Sequence, residues 1–255
     1  MIYCKDKLTI RLFPTREEMG KESAREAVSI LRDFISYKEE VNVIFAAAPS
    51  QDDFLAAFSK YEVAWHRVNA FHMDEYIGLD ADAPQRFGNY LKRNLFDKVK
   101  FKQVFYIGND PDSDSPEKEV SIYSDLLKRY PPDIVCLGIG ENGHIAFNDP
   151  HVANFNDPDL VKVVELDLAC RQQQVNDGCF ESLSQVPTHA YTLTIPALTM
   201  ARYMFCVVPT ERKAQAVYNT LYGKINESCP ATILRTHNLA TLYLDSDSAK
   251  LIGND

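Results

Sequence analysis

The sequence predicts an α/β fold: a three-layer αβα sandwich with a mostly parallel, Rossmann-like central sheet, in one domain over residues 1–255. Three observations carry this. Short apolar runs alternate with helix-like stretches along the whole chain, the pattern of β-α units that cover both faces of a parallel sheet. The runs 41–47 and 134–137 are apolar enough for strands buried on both faces. Two polar segments, starting near Phe71 and Gly138, each follow a strand-like run, where an open α/β sheet has its ligand crevice.

The elements follow in order. Residues 8–13 read as a first strand. Residues 15–36 read as a helix, because Thr15-Arg16-Glu17-Glu18 sets a hydroxyl at the N-cap and a glutamate three residues on. A strand at 41–47, a helix at 52–59 and a strand at 63–73 come next. Within 86–96, Phe87, Tyr90, Leu91 and Leu95 recur at helical spacing. A short strand at 105–107 and a helix at 116–129 precede 134–137, the strongest central strand. Beyond it, 161–166, 190–195 and 203–208 read as strands, and 211–221 as a helix with Thr210 as N-cap. Residues 239–244 close the chain as a strand. The polar stretches 110–117, 148–159 and 167–188 read as loops, the last two long enough to cover a site.

Composition narrows the function. A net charge of −9 argues against sequence-independent nucleic-acid binding, which needs a basic surface. Cys4, Cys136, Cys170, Cys179, Cys206 and Cys229 are scattered, with no C-x-x-C pair or zinc spacing, so they read as reduced thiols of a cytoplasmic protein. Lys5, Asp6 and Lys7 interrupt any leader-like apolar run, and no stretch approaches the roughly 20 apolar residues of a membrane span.

The chemistry concentrates at the strand ends. Gly138-x-Gly140-x-x-Gly143 matches a dinucleotide fingerprint, but lies mid-chain and runs into His144 rather than a helix. Its glycines, Gly143 among them, read as letting backbone approach a small anion or sugar. His144 is the candidate general acid/base, with Asp149 five residues on to orient it. A core histidine bonded to backbone is the bland alternative. Asp74 and Glu75 end a strand and, by side-chain alternation, point in opposite directions, so only one reaches the pocket. Lys213, near a helix start, and Ser50-Gln51, after a strand, supply anion-binding groups, as does Arg171 in the polar run Arg171-Gln172-Gln173-Gln174.

With these residues in hand, the chain resembles the glucosamine-6-phosphate deaminase family over nearly its whole length. Phe71-His72-Met73-Asp74-Glu75-Tyr76-Ile77-Gly78-Leu79 looks like the family's strand-end signature. The run from Gly138 through Gly143-His144 to Asp149-Pro150 looks like its glycine-histidine signature. Val186-Pro187-Thr188-His189-Ala190-Tyr191-Thr192-Leu193 and the Lys213 helix start fall in matching order. The resemblance implies an amino-sugar phosphate isomerase/deaminase: His144 assists ring opening, Asp74 moves a proton between C2 and C1, ammonia leaves, and a ketohexose 6-phosphate results. Lys213 matches a phosphate-binding lysine. No metal or organic cofactor is implied, and the partner is a phosphorylated amino sugar. Family members range from monomers to hexamers, which leaves a homo-oligomer open.

Three differences stand out. Asn142 occupies a position where some members have aspartate. Asp149 stands where the family usually has glutamate, one methylene longer. Ala48-Pro49-Ser50-Gln51 replaces the usual Gly-Gly phosphate loop, which expects help from the Ser50 hydroxyl; Arg171 lies in the region of the family's phosphate-binding arginine. The alternatives are a 6-phosphogluconolactonase-type hydrolase, which generally lacks the Met-Asp-Glu-Tyr strand end, and a non-catalytic sugar-phosphate sensor.

Overall fold

The computed structural model describes residues 1–108 and 114–253; the first half of the polar stretch read as a loop at 110–117 lies outside the described residues. Its strands are β1 (Ile2–Lys5), β2 (Leu8–Leu12), β3 (Val41–Phe45), β4 (Val68–His72), β5 (Asp74–Tyr76), β6 (Gln103–Phe105), β7 (Ile134–Leu137), β8 (Val161–Glu165), β9 (His189–Leu193), β10 (Tyr203–Val208) and β11 (Ala240–Leu244). Its α-helices are α1 (Arg16–Tyr37), α2 (Asp52–Phe58), α3 (Phe87–Leu91), α4 (Pro116–Arg129), α5 (Leu168–Asn176), α6 (Ile195–Thr199) and α7 (Ala214–Tyr222).

The large sheet runs β1-β2-β11-β10-β7-β3-β4-β6, and every pairing in it except β1 with β2 is parallel. β3 and β7, the apolar runs, are buried throughout, and one apolar cluster lies on each face of the sheet. One packs under α1, α2 and α3, where Phe45 meets Phe58, Phe96 and Phe101 edge-on. The other packs under α4, α6 and α7. The expected N-cap forms: Thr15 Oγ1 accepts the Glu18 N–H at 3.2 Å.

Several expectations are corrected. The strands expected at 161–166 and 190–195 form no part of the large sheet; β8 and β9 pair antiparallel with β5 in a second sheet, ordered β5-β9-β8. β8 is half-exposed, with Val161 and Val164 buried and Val163 and Glu165 exposed, which suits an antiparallel strand at a sheet edge. The strand expected over 63–73 is shorter, because Trp65–Arg67 is a 3₁₀ turn. β1 was not anticipated; it is an exposed edge joined to β2 through Asp6, at φ +52. Residues 92–96 continue α3 as a π-turn. Thr210 is no side-chain cap: it sits at φ +79, and a 3₁₀ turn, Glu211–Lys213, precedes α7.

Candidate active site

The carboxyl ends of β3, β4, β7 and β10 open onto one cavity of about 60 Å³. Asp74 and His144 both line it, together with Ser50, Gln51 and Lys213. Its apolar wall is Met73, Phe87, Ile139 and Phe147. Phe87 and Phe147 stack on each other and meet Tyr76 at a tilt, so the wall is anchored in the core.

Asp74 opens β5, paired with Thr192, while Leu193 N–H donates to Met73 O at 2.8 Å. The preceding His72 holds this junction from inside. Its Nε2 accepts the Ile107 N–H at 3.0 Å, so Nδ1 carries the proton and donates to Asp74 O at 2.9 Å. Burial drives the His72 pKa down to about 4, keeping the ring neutral. Tyr123 donates to His72 O at 2.9 Å and fixes the strand end from the other side. Burial pushes the Asp74 carboxyl well above its ordinary value, and the charge of Glu75 adds to the effect.

Glu75 faces away from the cavity, as alternation requires. Its carboxylate accepts the N–H groups of Tyr76, Phe87 and Gly88 and lies 3.6 Å from Arg86 Nε. It therefore shapes the start of α3.

The 138–149 loop builds the opposite side. His144 N–H donates to Asn142 Oδ1 at 3.0 Å, and His144 O accepts the Gly140 N–H at 2.9 Å. Gly140 passes so close to the imidazole that a Cβ would fall 2.2 Å from its ring. His144 Nδ1 lies 3.0 Å from Asp149 Oδ1, so the shorter acid does reach the ring. The contact is off the N–H direction, and Nδ1 has no well-aligned hydrogen bond. Asp149 Oδ1 also accepts Asn142 Nδ2 at 2.9 Å. Burial alone would raise the Asp149 carboxyl; contact with His144 and the Asn142 amide overcomes it and holds the group below its ordinary value.

On the anion side, Pro49–Gln51 forms a 3₁₀ turn after β3. Gln51 Nε2 donates to Val207 O at 3.0 Å and to Ser50 Oγ at 3.2 Å, leaving the Ser50 hydroxyl proton unclaimed. Lys213 is 4% exposed, and its ammonium has no hydrogen-bond or ion-pair partner among the described residues. Desolvation lowers its pKa, against the pull of Asp177 and Glu141.

Four expected site residues are not brought to the cavity wall; one of them, Asp149, sits behind the His144 ring. Arg171 is turned away, its guanidinium donating to Leu183 O and Val186 O at 2.8 and 2.9 Å. Gly143, at φ +86, serves the loop's turn: its N–H donates to Gly140 O, and a Cβ would meet Cys229 Sγ at 2.6 Å. Asn142 acts behind His144, bridging Asp149 and Asp167. Conversely, Gln173 and Gln174 line the cavity and were not anticipated. The signal was helical spacing: Cys170, Gln173 and Gln174 share one buried face of α5, and Arg171 lies off it.

Ligand atoms of His144, Asp149 and Cys170 lie within 4.8 Å of one another, as do those of Asp149, His151 and Asp167, so either set could gather round a metal ion. The six cysteines are free, and four of them are buried. No helix among the described residues is long and apolar enough to cross a membrane.

Residues 14–243 match the family described as glucosamine-6-phosphate isomerases/6-phosphogluconolactonase. The chain belongs to this family. A glucosamine-6-phosphate deaminase of Listeria monocytogenes serotype 4a is 33% identical over 243 residues, covering 95% of this chain and 100% of that protein. One of Bacillus cereus is 34% identical, covering 91% and 86%. Among solved structures, a monomeric glucosamine-6-phosphate deaminase superposes with a TM-score of 0.85 at 27% identity, covering 95% of this chain and 99% of that one. The 6-phosphogluconolactonase of Thermotoga maritima has a TM-score of 0.77 at 18% identity, covering 94% and 100%, a likeness of fold alone. The isomerase and lactonase branches of the family thus share this sheet, and the residues at its edge must separate them.

Proposed function

We propose that this family member is an amino-sugar phosphate isomerase/deaminase that converts glucosamine 6-phosphate, or its galactosamine epimer, to a ketohexose 6-phosphate and ammonia. The observation that carries the reading is Asp74: a buried carboxyl, raised in pKa, sharing one cavity with the His144–Asp149 pair. Moving a proton between adjacent carbons needs a carboxylate whose basicity is raised, and removal from water raises it. Hydrolysis of a lactone has no such proton to move.

In this reading His144 transfers the proton that opens the sugar ring. Asp74 takes the C2 proton and returns it to C1, turning the C2–amine carbon into an imine. Water adds at C2, and ammonia leaves as the ketone forms. Lys213 and Ser50 hold the phosphate, with Gln51 bracing the serine hydroxyl. Asp149 and Asn142 orient His144. The free thiols suit a reducing compartment, so we assign the enzyme to the cytosol; recovery of the protein outside the soluble cell fraction would overturn that.

The test is ammonia release from glucosamine 6-phosphate and galactosamine 6-phosphate, side by side. Release from one, with ketose phosphate formed in step, is expected and chooses the epimer. Binding of either sugar without release would point to a sensor. Hydrolysis of 6-phosphogluconolactone without ammonia release would move the chain to the lactonase branch.

A further inference from the structure

The anion corner of the cavity is unusually poor in positive charge. Among the described residues, Lys213 is the only lysine or arginine lining it. Arg212, next in sequence, reaches outward: Nη1 donates to Asn176 O at 2.5 Å and lies 3.8 Å from Asp177. Arg171 is held by two carbonyls away from the cavity, and Arg16 is paired with Asp53. The charged groups that act on the Lys213 ammonium are Asp177 and Glu141 from neighbouring elements and Arg212 from its own turn, two of the three acidic. A phosphate ester carries about −1.5 to −2 charges and three acceptor oxygens. One ammonium and one hydroxyl leave that group short of donors.

The missing donor is on α5. Gln174 is 6% exposed and lines the cavity, and its side-chain amide has no hydrogen-bond partner among the described residues. Its neighbour Gln173, buried to the same extent, is already engaged: Oε1 accepts the Glu141 N–H at 2.8 Å. A buried amide is normally satisfied, so one left open towards a cavity is a ligand contact waiting for its ligand. Its backbone is firmly placed. Asp167 caps α5 through the Cys170 N–H, at 2.6 Å, and Asn142 donates to Asp167 from the His144 loop at 3.2 Å.

We infer that Gln174 is a specificity-determining residue that binds the substrate's phosphate, its neutral amide completing with Lys213 and Ser50 a cradle that contains a single cation. The inference rests on the sugar-phosphate reading above and adds a ligand to it. The amide gives its N–H groups to phosphate oxygens without adding charge, so Gln174 discriminates phosphorylated from unphosphorylated sugar.

The test uses Gln174→Ala and the volume-keeping Gln174→Met, each checked for folding by circular dichroism, with glucosamine 6-phosphate as substrate and inorganic phosphate as a separate probe. The expected result is a KM about tenfold or more above wild type with kcat within about twofold, the mark of lost binding common to ground and transition states. Affinity for inorganic phosphate, read by calorimetry, falls in parallel. Binding of unphosphorylated glucosamine is unchanged. If KM and phosphate affinity stay at wild-type values in both variants, Gln174 is no ligand, while ammonia release by the wild type leaves the functional reading standing. If the wild type releases no ammonia, that reading fails, and phosphate affinity in the variants still decides the role of Gln174.

Discussion

Gly140→Ala tests whether His144 must stand where it does. An alanine Cβ at this position would lie 2.2, 2.3 and 2.4 Å from three atoms of the His144 ring. Against the 3.4 Å of an ordinary contact, the ring has about 1.2 Å to travel. Gly140 has no positive φ, so the substitution strains no backbone, and its obstacle is the end of a side chain that can swing aside. The fold should therefore survive with Tm nearly unchanged, and the displacement should fall on catalysis. Misplacing a reacting group by about 1 Å costs on the order of 100-fold, about 2.7 kcal/mol of barrier. We expect kcat for ammonia release to fall by about that factor, with KM within about threefold because Lys213 and Ser50 are untouched. A variant with wild-type kcat and wild-type Tm would refute the reasoning: either the ring is not needed for ring opening, or it works from another position.

Asp74→Asn should abolish deuterium exchange at the substrate carbon while keeping binding; exchange at the wild-type rate would remove Asp74 as the base. The same variant should be the more stable protein at neutral pH. The folded carboxyl is raised above its ordinary 3.8, so the wild type loses stability as pH climbs from 3.8 to the raised value, and the two proteins converge below 3.8. Denaturant titrations at pH 3 and pH 7 check the sign. Lys213→Met should raise KM by about 10- to 100-fold, the effect of a lost charged hydrogen bond. Without ligand it should be no less stable than wild type: the lowered folded pKa imposes a cost that is complete below that value and gone above 10.5. An unchanged KM would place Lys213 outside the site. Thr210→Gly should relieve the φ +79 strain and stabilise the fold by about 1 kcal/mol, a rise of about 2–4 °C in Tm; a fall in Tm would show that the threonine side chain holds the turn.

What could be read from the sequence was whatever depends on local pattern. The mostly apolar β3 and the wholly apolar β7 were legible, as were the carboxyl-edge positions of Asp74, His144, Ser50 and Lys213, because side-chain alternation and strand ends are properties of a few consecutive residues. The second sheet was not. β5, β8 and β9 are far apart in sequence, and only the polar Lys162 and Glu165 hinted that β8 has a solvent side. Arg171 was chosen for its charge, whereas the geometry of α5 turns it to the Leu183 and Val186 carbonyls and delivers the two glutamines instead. Gly143 was read as close approach to ligand and turned out to be close approach to Cys229.

The departures from comfortable structure gather at one place. Asp74 is buried with a raised pKa, Lys213 is buried with a lowered one, and Gln174 has an unmatched amide; all three line one small cavity. Thr210, three residues before Lys213, is held at positive φ, its N–H donating to the buried Asp245 carboxylate at 3.2 Å. Each costs the free protein stability, and none packs the core. Such costs persist where surrounding structure over-determines them, and that is where function is found. A ligand with an anionic end relieves Lys213 and Gln174 together, so saturating it should stabilise the protein by RT ln(1 + [L]/Kd), about 2.7 kcal/mol at a hundredfold excess over Kd. The bound phosphate also raises the Lys213 pKa, so binding at alkaline pH takes up a proton. Proton uptake that disappears in Lys213→Met would tie the electrostatic cost in the free protein to the ligand that removes it.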